Sequence, residues 1–261
     1  MKIENQIEKI KKTKKIGFMG HIIAGFPTFD DSKAAAFTLL ENGVDFLEIQ
    51  FPFSDPFADG PIIEGACYTS LENGFKIEKG FKLVGDITKD TDIPVFIMTY
   101  GNIIFKYGIE KFIIKAKDNG VAGFIIPDIP PEQDEGLNDL IRKHGLTNIL
   151  LVTPSCDAKR IKYISGIGSG FLYTVMRRGI TGKKTDIDNE VNEYLELVRA
   201  NSLLPIAVGF GIQSKDQIKY LEDKADIAIA GSYLVKAISD AYKNKENISE
   251  KLKLSLKNLI G

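Results

Sequence analysis

Apolar residues in this chain gather into eight short runs rich in Val, Ile, Leu or Phe. They are Ile16–Ile23, Phe46–Phe51, Pro94–Thr99, Gly123–Ile126, Asn148–Val152, Gly170–Val175, Pro205–Val208 and Ile227–Ala230. Most lack polar alternation, which suits strands covered on both faces in a parallel sheet. Helix signals fill the stretches between them. Asp30-Asp31-Ser32 precedes Lys33–Glu41, and Asn42-Gly43 closes it, which predicts a cap at each end. Pro130-Pro131-Glu132 opens a helix predicted to end at His144-Gly145. Two helices, Ile62–Asn73 and Ile77–Thr88, are predicted between the second and third strands, and Asp216–Asp223 and Leu234–Leu259 carry apolar residues at helical spacing. Lys2–Lys12 reads as an extra amphipathic helix placed to plug the N-terminal end of a barrel. Eight β-α units without a low-complexity linker predict one (β/α)8 TIM barrel domain over 1–261. A doubly wound open sheet competes, but the count of eight and the lack of an early Gly-rich nucleotide turn disfavour it.

Composition narrows the function classes. A length of 261 residues with 44% hydrophobic content supports a large core, and a net charge of -1 gives no electrostatic footprint for nucleic acid or an anionic membrane. The lysines of Lys9–Lys15 sit beside Glu4 and Glu8 and read as a solvated helix end. No apolar stretch reaches bilayer length and no signal-peptide core is visible, so a cytoplasmic location is expected. Cys67 and Cys156 are then expected to be free thiols, and with His21 and His144 they are too sparse for a metal site.

The candidate chemistry begins in the second strand. Leu47, Ile49 and Phe51 share one parity, and Phe46, Glu48 and Gln50 share the other. The all-apolar set belongs against the helices, which puts Glu48 in the lumen near the C-terminal mouth. A glutamate in an apolar run is costly to bury unless paired or used, and no predicted strand offers a Lys or Arg partner. The loop Pro52–Pro61 has a proline, aspartate or glycine at most steps, so its path is stiff. It carries Asp59 back over the mouth, while Asp55 reads as a turn cap. Two carboxylates in unlike settings can divide acid and base duties. The missing strand lysine argues against a Schiff-base aldolase.

The opposite rim has the makings of an anion site. The seventh strand runs into Gly209-Phe210-Gly211-Ile212 and the eighth into Ala230-Gly231-Ser232 before a helix. Barrels commonly bind phosphate on these two loops through backbone N–H groups and a helix N-terminus, with Ser232 able to add a hydroxyl and cap the helix. The basic, glycine-hinged run Arg177-Arg178-Gly179-Ile180-Thr181-Gly182-Lys183-Lys184 suits a lid over an anionic substrate.

Together these residues resemble the tryptophan synthase α subunit family along essentially the whole chain. The resemblance rests on Ala24-Gly25-Phe26-Pro27, on Leu47-Glu48-Ile49 through Phe53-Ser54-Asp55-Pro56-Phe57-Ala58-Asp59-Gly60-Pro61, and on Tyr100-Gly101-Asn102. It continues through Pro127-Asp128-Ile129-Pro130, Tyr173, Gly179-Ile180-Thr181-Gly182, Gly209-Phe210-Gly211-Ile212 and Ala230-Gly231-Ser232. It implies retro-aldol cleavage of indole-3-glycerol phosphate to indole and glyceraldehyde 3-phosphate. By the same resemblance Glu48 is the general acid/base and Asp59 holds the indole N–H. Tyr173, Thr181, Phe210 and Tyr100 match positions around the substrate ring and side chain, and His21 stands at a ring-pocket position. Gly182, Gly211, Gly231 and Ser232 match phosphate-binding positions, with Asp128 and Asn102 at the same mouth. The resemblance implies a β subunit as partner in an α2β2 assembly, facing Pro52, Asp55 and the Asn102 loop. Pyridoxal phosphate belongs to that partner, and no cofactor is expected in this chain.

Two positions depart from the family pattern. Gln50 stands where glycine is usual, and with the parity of Glu48 its amide is expected to bond that carboxylate or crowd the substrate. His21 replaces an apolar or aromatic residue. Two other readings compete with the lyase. One is a different phosphosugar-barrel enzyme, and the other is a weakly catalytic barrel kept to bind and activate its partner.

Overall fold

A computed structural model describes residues 2–176, 189–209 and 211–261. Its strands are β1 (Gly17–Ile23), β2 (Phe46–Gln50), β3 (Val95–Met98), β4 (Gly123–Ile125), β5 (Thr147–Ile149), β6 (Leu151–Val152), β7 (Leu172–Val175), β8 (Ile206–Gly209) and β9 (Ile227–Ala230). All pair in parallel, in the order β5-β4-β3-β2-β1-β9-β8-β7-β6. The two ends of that order, β5 and β6, are one stretch of chain interrupted at Leu150. β5 pairs with β4, β6 pairs with β7, and the Leu150 carbonyl accepts from Tyr173 N at 2.9 Å. The ring closes through Leu150, so the expected fifth strand exists with a break in it. The result is an eight-position TIM barrel.

Alternation along the strands separates two cores. Leu47, Ile49, Phe18, Ile206 and Val208 point outward into the helix layer. Met19, Phe46, Phe96, Phe171, Ala207 and Ile227 fill the lower lumen, where Phe46, Phe96 and Phe171 pack with ring centroids 5.5–6.1 Å apart. The extra helix α1 (Lys2–Thr13) closes that end, burying Ile3, Ile7 and Ile10 against the aromatic cluster. Burial of each isoleucine contributes roughly 2–3 kcal/mol. This plug leaves only the upper lumen open for chemistry.

Local signals misjudged several helix limits. The first covering helix, α2 (Phe29–Glu41), starts before the aspartates, and Thr28 caps it by accepting from Asp31 N. Between β2 and β3 lie α3 (Pro61–Glu72) and α4 (Ile77–Thr88), as predicted. Two helices, α5 (Gly101–Tyr107) and α6 (Ile109–Asp118), then connect β3 to β4. Pro131–Gln133 forms only a 3-10 turn, and helix α7 (Leu137–Lys143) begins after Gly136. After α8 (Ala158–Ile167), α9 (Asn189–Asn201) and α10 (Lys215–Leu221), the long C-terminal stretch divides. It forms α11 (Ser232–Lys243) and α12 (Ile248–Ile260), because Asn247 caps a new helix by accepting from Glu250 N. Among the described residues no helix is long and apolar enough to cross a membrane.

Candidate active site

Glu48 lies in the middle of β2, opposite His21 of β1 in the parallel register. Both side chains enter the lumen, 3% and 4% exposed, and His21 Nδ1 stands 3.2 Å from Glu48 Oε2. This contact is an ion pair without a well-directed hydrogen bond, and His21 Nε2 has no partner among the described residues. Burial works against protonation of His21, but the Glu48 carboxylate, helped by Asp59, outweighs it and holds the imidazole above its ordinary value. Among the described residues no wall strand carries a Lys or Arg beside Glu48, and the histidine on the adjacent strand fills that place.

Asp59 reaches the same space from the loop after β2. Turn hydrogen bonds from Phe57 N to Asp55 O and from Asp59 N to Pro56 O set the loop's path. Asp55 is exposed and accepts from Ser54 Oγ, in keeping with a turn role. The Asp59 carboxylate, 8% exposed, accepts on Oδ2 from Gln50 Nε2 at 2.8 Å and from the Tyr100 hydroxyl at 3.0 Å. Tyr100 Oη in turn accepts from Ala58 N, while Phe53 and Phe57 pack against the Tyr100 ring. Burial pushes the Asp59 carboxyl up, against the opposing pull of Gln50, His21 and Tyr100. Two sequence expectations change here. The amide of Gln50 serves Asp59, with Glu48 left to His21. Tyr100, expected at the substrate ring, is fully buried behind Asp59 and is not part of the cavity wall.

The cavity itself has a volume of about 720 Å³. His21, Glu48, Asp59, Tyr173, Gly211, Gly231 and Ser232 all line it. Tyr173 enters from β7 beside Gly209, where a Cβ would fall 2.8 Å from its hydroxyl oxygen, so only glycine leaves room for the phenol. Burial, with Glu48 and Asp59 nearby, keeps that phenol protonated far above its ordinary value. On the far rim Gly211 takes a φ of +89°, and α11 begins at Ser232 with Gly231 as its cap. Ser232 was expected to cap this helix, but it is the first helical residue, and among the described residues no side chain caps the end.

Asp128 also lines the cavity, yet both its oxygens accept from Gly101 N at the start of α5, and burial holds its carboxyl up. Asn102 is exposed on α5 and does not line the cavity. Thr181, Gly182 and Phe210, with the basic loop 177–184, lie outside the described residues. Sequence reasoning missed Met98, Ile125 and Ile229, which form apolar wall and were detectable by lumen parity. It also missed Arg160, which is held by Glu132 at the cavity's edge and came with no local signal. Cys67 and Cys156 are free, and burial pushes the Cys67 thiol up to about 12. Among the described residues no cluster of three His, Cys, Asp or Glu could hold a metal.

This geometry has known counterparts. The family model described as tryptophan synthase alpha chain matches residues 7–260. A tryptophan synthase alpha chain of Helicobacter hepaticus is 49% identical over 228 residues, 85% of each chain. One from Methanosarcina barkeri is 38% identical over 98% of this chain and 97% of its own. The crystal structure of tryptophan synthase subunit alpha from Legionella pneumophila superposes with a TM-score of 0.88 at 30% identity, covering 99% of both chains. A chain of the tryptophan synthase complex from Pyrococcus furiosus gives 0.86 at 28% identity, covering 94% of this chain and 98% of that one. Sequence and fold thus agree over nearly the full length, and the chain belongs to the tryptophan synthase alpha chain family.

Proposed function

We propose that this cavity binds indole-3-glycerol phosphate and performs the carbon–carbon lyase reaction of the family in tryptophan biosynthesis, releasing indole and glyceraldehyde 3-phosphate. One observation carries the reading. Two buried carboxylates line the same cavity as an uncapped helix N-terminus, so acid/base groups and an anion site share one chamber.

The chemistry follows from that arrangement. Protonated Glu48 gives its proton to C3 of the indole, which places positive charge on the ring. Asp59, with Oδ2 held by Gln50 and Tyr100, has Oδ1 available to accept from the indole N–H and stabilise that charge. The ionised Glu48 then takes the proton of the side-chain hydroxyl next to the breaking bond. The C–C electrons return to the ring, indole regains aromaticity, and the hydroxyl carbon becomes the aldehyde. One proton has moved from oxygen to carbon, and Glu48 ends as it began. The phosphate would rest on Gly211, Gly231 and Ser232, against the leading N–H groups of α11. Tyr173 would border the ring or side chain. Roles for Thr181, Gly182 and Phe210 rest on the motif match alone.

A β subunit in an α2β2 assembly is the expected partner by the family resemblance, and the likeness to a chain of the Pyrococcus furiosus tryptophan synthase complex supports a partner. The facing region would be Pro52, Asp55 and the Asn102 loop, where Phe57 is 68% exposed. Pyridoxal phosphate is assigned to that partner, and the steps above use only groups of this chain and substrate. A cytoplasmic location is part of the same proposal.

The test is indole release from indole-3-glycerol phosphate, with and without a β subunit, for the natural chain and Glu48→Gln. Loss of about 10²- to 10⁴-fold in the variant is expected. Near-normal turnover would remove Glu48 from the mechanism. No cleavage by the natural chain in either condition would favour a barrel that only activates its partner.

A further inference from the structure

His21 needs an explanation that space-filling does not provide. Neighbouring wall positions Met98, Ile125 and Ile229 are apolar, and a buried imidazole is costly unless its polar atoms are used. Its Nδ1 is 3.2 Å from one oxygen of Glu48, while Nε2 is buried without a hydrogen-bond partner among the described residues. The register of β1 and β2 makes the pairing a built feature, because residue 21 lies directly across from residue 48.

We propose that His21 is a positioning residue for the cleavage, its imidazole holding the Glu48 carboxylate in place by charge through Oε2. The inference rests on the lyase reading above. Glu48 gives its proton to C3 of the indole from its other carboxylate oxygen and recovers one there from the substrate hydroxyl, so over one cycle His21 neither gains nor loses a proton. Holding Oε2 leaves the other carboxylate oxygen for the substrate.

The surroundings set the charge on the imidazole. Burial opposes its protonation, while Glu48 from β2 and Asp59 from the following loop favour it. Tyr173 from β7 stays neutral, and Gln50, whose Nε2 bonds Asp59, also favours the imidazolium. The N-terminal end of α11 opposes protonation, since a Cβ built on Gly231 would lie 3.7 Å from His21 Cγ. The two carboxylates and Gln50 outweigh burial and keep the imidazole more basic than free histidine.

The chain contains only two histidines, so imidazole ¹⁵N NMR of the full chain is readable, with His144→Gln assigning the second signal. The His21 midpoint should fall in Glu48→Gln compared with the natural chain; an unmoved midpoint overturns the pairing. The kinetic arm uses the complex with a β subunit. His21→Asn and His21→Phe should each lower kcat about tenfold or more, change KM far less, and displace the pH–rate profile. Profiles that superimpose on the natural enzyme, with Glu48→Gln inactive, overturn the role of His21 alone. Normal turnover by Glu48→Gln would instead overturn the lyase reading, and the proposal with it.

Discussion

Gln50 and Asp59, nine positions apart in the chain, are joined by a buried 2.8 Å hydrogen bond from Nε2 to Oδ2. It ties a carboxylate on the following loop to the C-terminal end of strand β2. Hydrogen bonds to charged groups contribute about 1.5–3 kcal/mol. In Gln50→Leu the donor that favours ionisation is gone, so the Asp59 carboxyl rises further. The acid limb of the kcat/KM profile should move to higher pH, with activity at pH 7 reduced about tenfold or more. A profile like that of the natural chain would mean that Tyr100 alone suffices to hold Asp59.

Asp59→Asn should separate stability from activity. The folded Asp59 carboxyl lies above its ordinary value of 3.8, so the folded chain binds this proton more tightly than the unfolded one. Its favourable contribution is full below the unfolded value and is lost as pH rises through the folded value. Above the folded value the ionised, buried group is therefore a burden. The asparagine chain should melt at higher temperature than the natural one at pH 7, and the difference should shrink toward pH 4. Indole release should fall about 10²-fold as the anion beside the ring is lost. Thermal melts at both pH values and one rate measurement check this.

Gly209→Ala tests the seat of Tyr173. The added methyl would meet Oη at 2.8 Å and Cε1 at 2.9 Å, so the phenol must move. Displacement at a substrate-facing wall should raise KM about tenfold or more with a smaller change in melting temperature. Unchanged kinetics would show that Tyr173 is spectator packing.

Ser232→Asp places a negative charge on the first residue of α11. An acid at a helix start stabilises by about 0.3–1 kcal/mol, so the fold should hold or gain slightly. The same charge repels a bound phosphate, and KM should rise about 10²-fold. Titration with inorganic phosphate, followed by calorimetry, gives an independent reading. Equal phosphate affinity in both chains would move the anion site elsewhere.

Ile10→Ala tests the plug at the barrel's other end. Ile10 is buried with Ile3 and Ile7 under the Phe46, Phe96 and Phe171 cluster. The truncation should cost about 2–5 kcal/mol in urea unfolding while KM stays unchanged, because the aromatic cluster separates α1 from the cavity. A cost under about 0.5 kcal/mol would show that α1 rests on the barrel without sealing it.

The barrel and half of its site were legible in the chain for reasons of short range. Parity along Phe46–Gln50 decides which side chains share a face, and a lone acid among apolar neighbours marks the lumen. Closely spaced proline and glycine restrict the loop that carries Asp59. The helix limits were less accurate. Thr28 takes the cap from the aspartates after it, and Asn247 divides a stretch whose apolar spacing looked continuous. In both places one side-chain hydrogen bond to a backbone N–H outweighs the periodic pattern.

The amino-acid sequence by itself determined eight wall segments, the plug helix, the inward direction of Glu48 and the glycine-rich far rim. Tertiary structure alone decided who meets whom. The pairing of His21 with Glu48 depends on the register of two strands that are distant in sequence. The choice of Gln50 for Asp59, and the retreat of Tyr100 behind that carboxylate, depend on how a loop folds over a third strand. Local periodicity records the face a residue occupies, whereas its neighbour across the barrel follows from closure, which no short window of sequence contains.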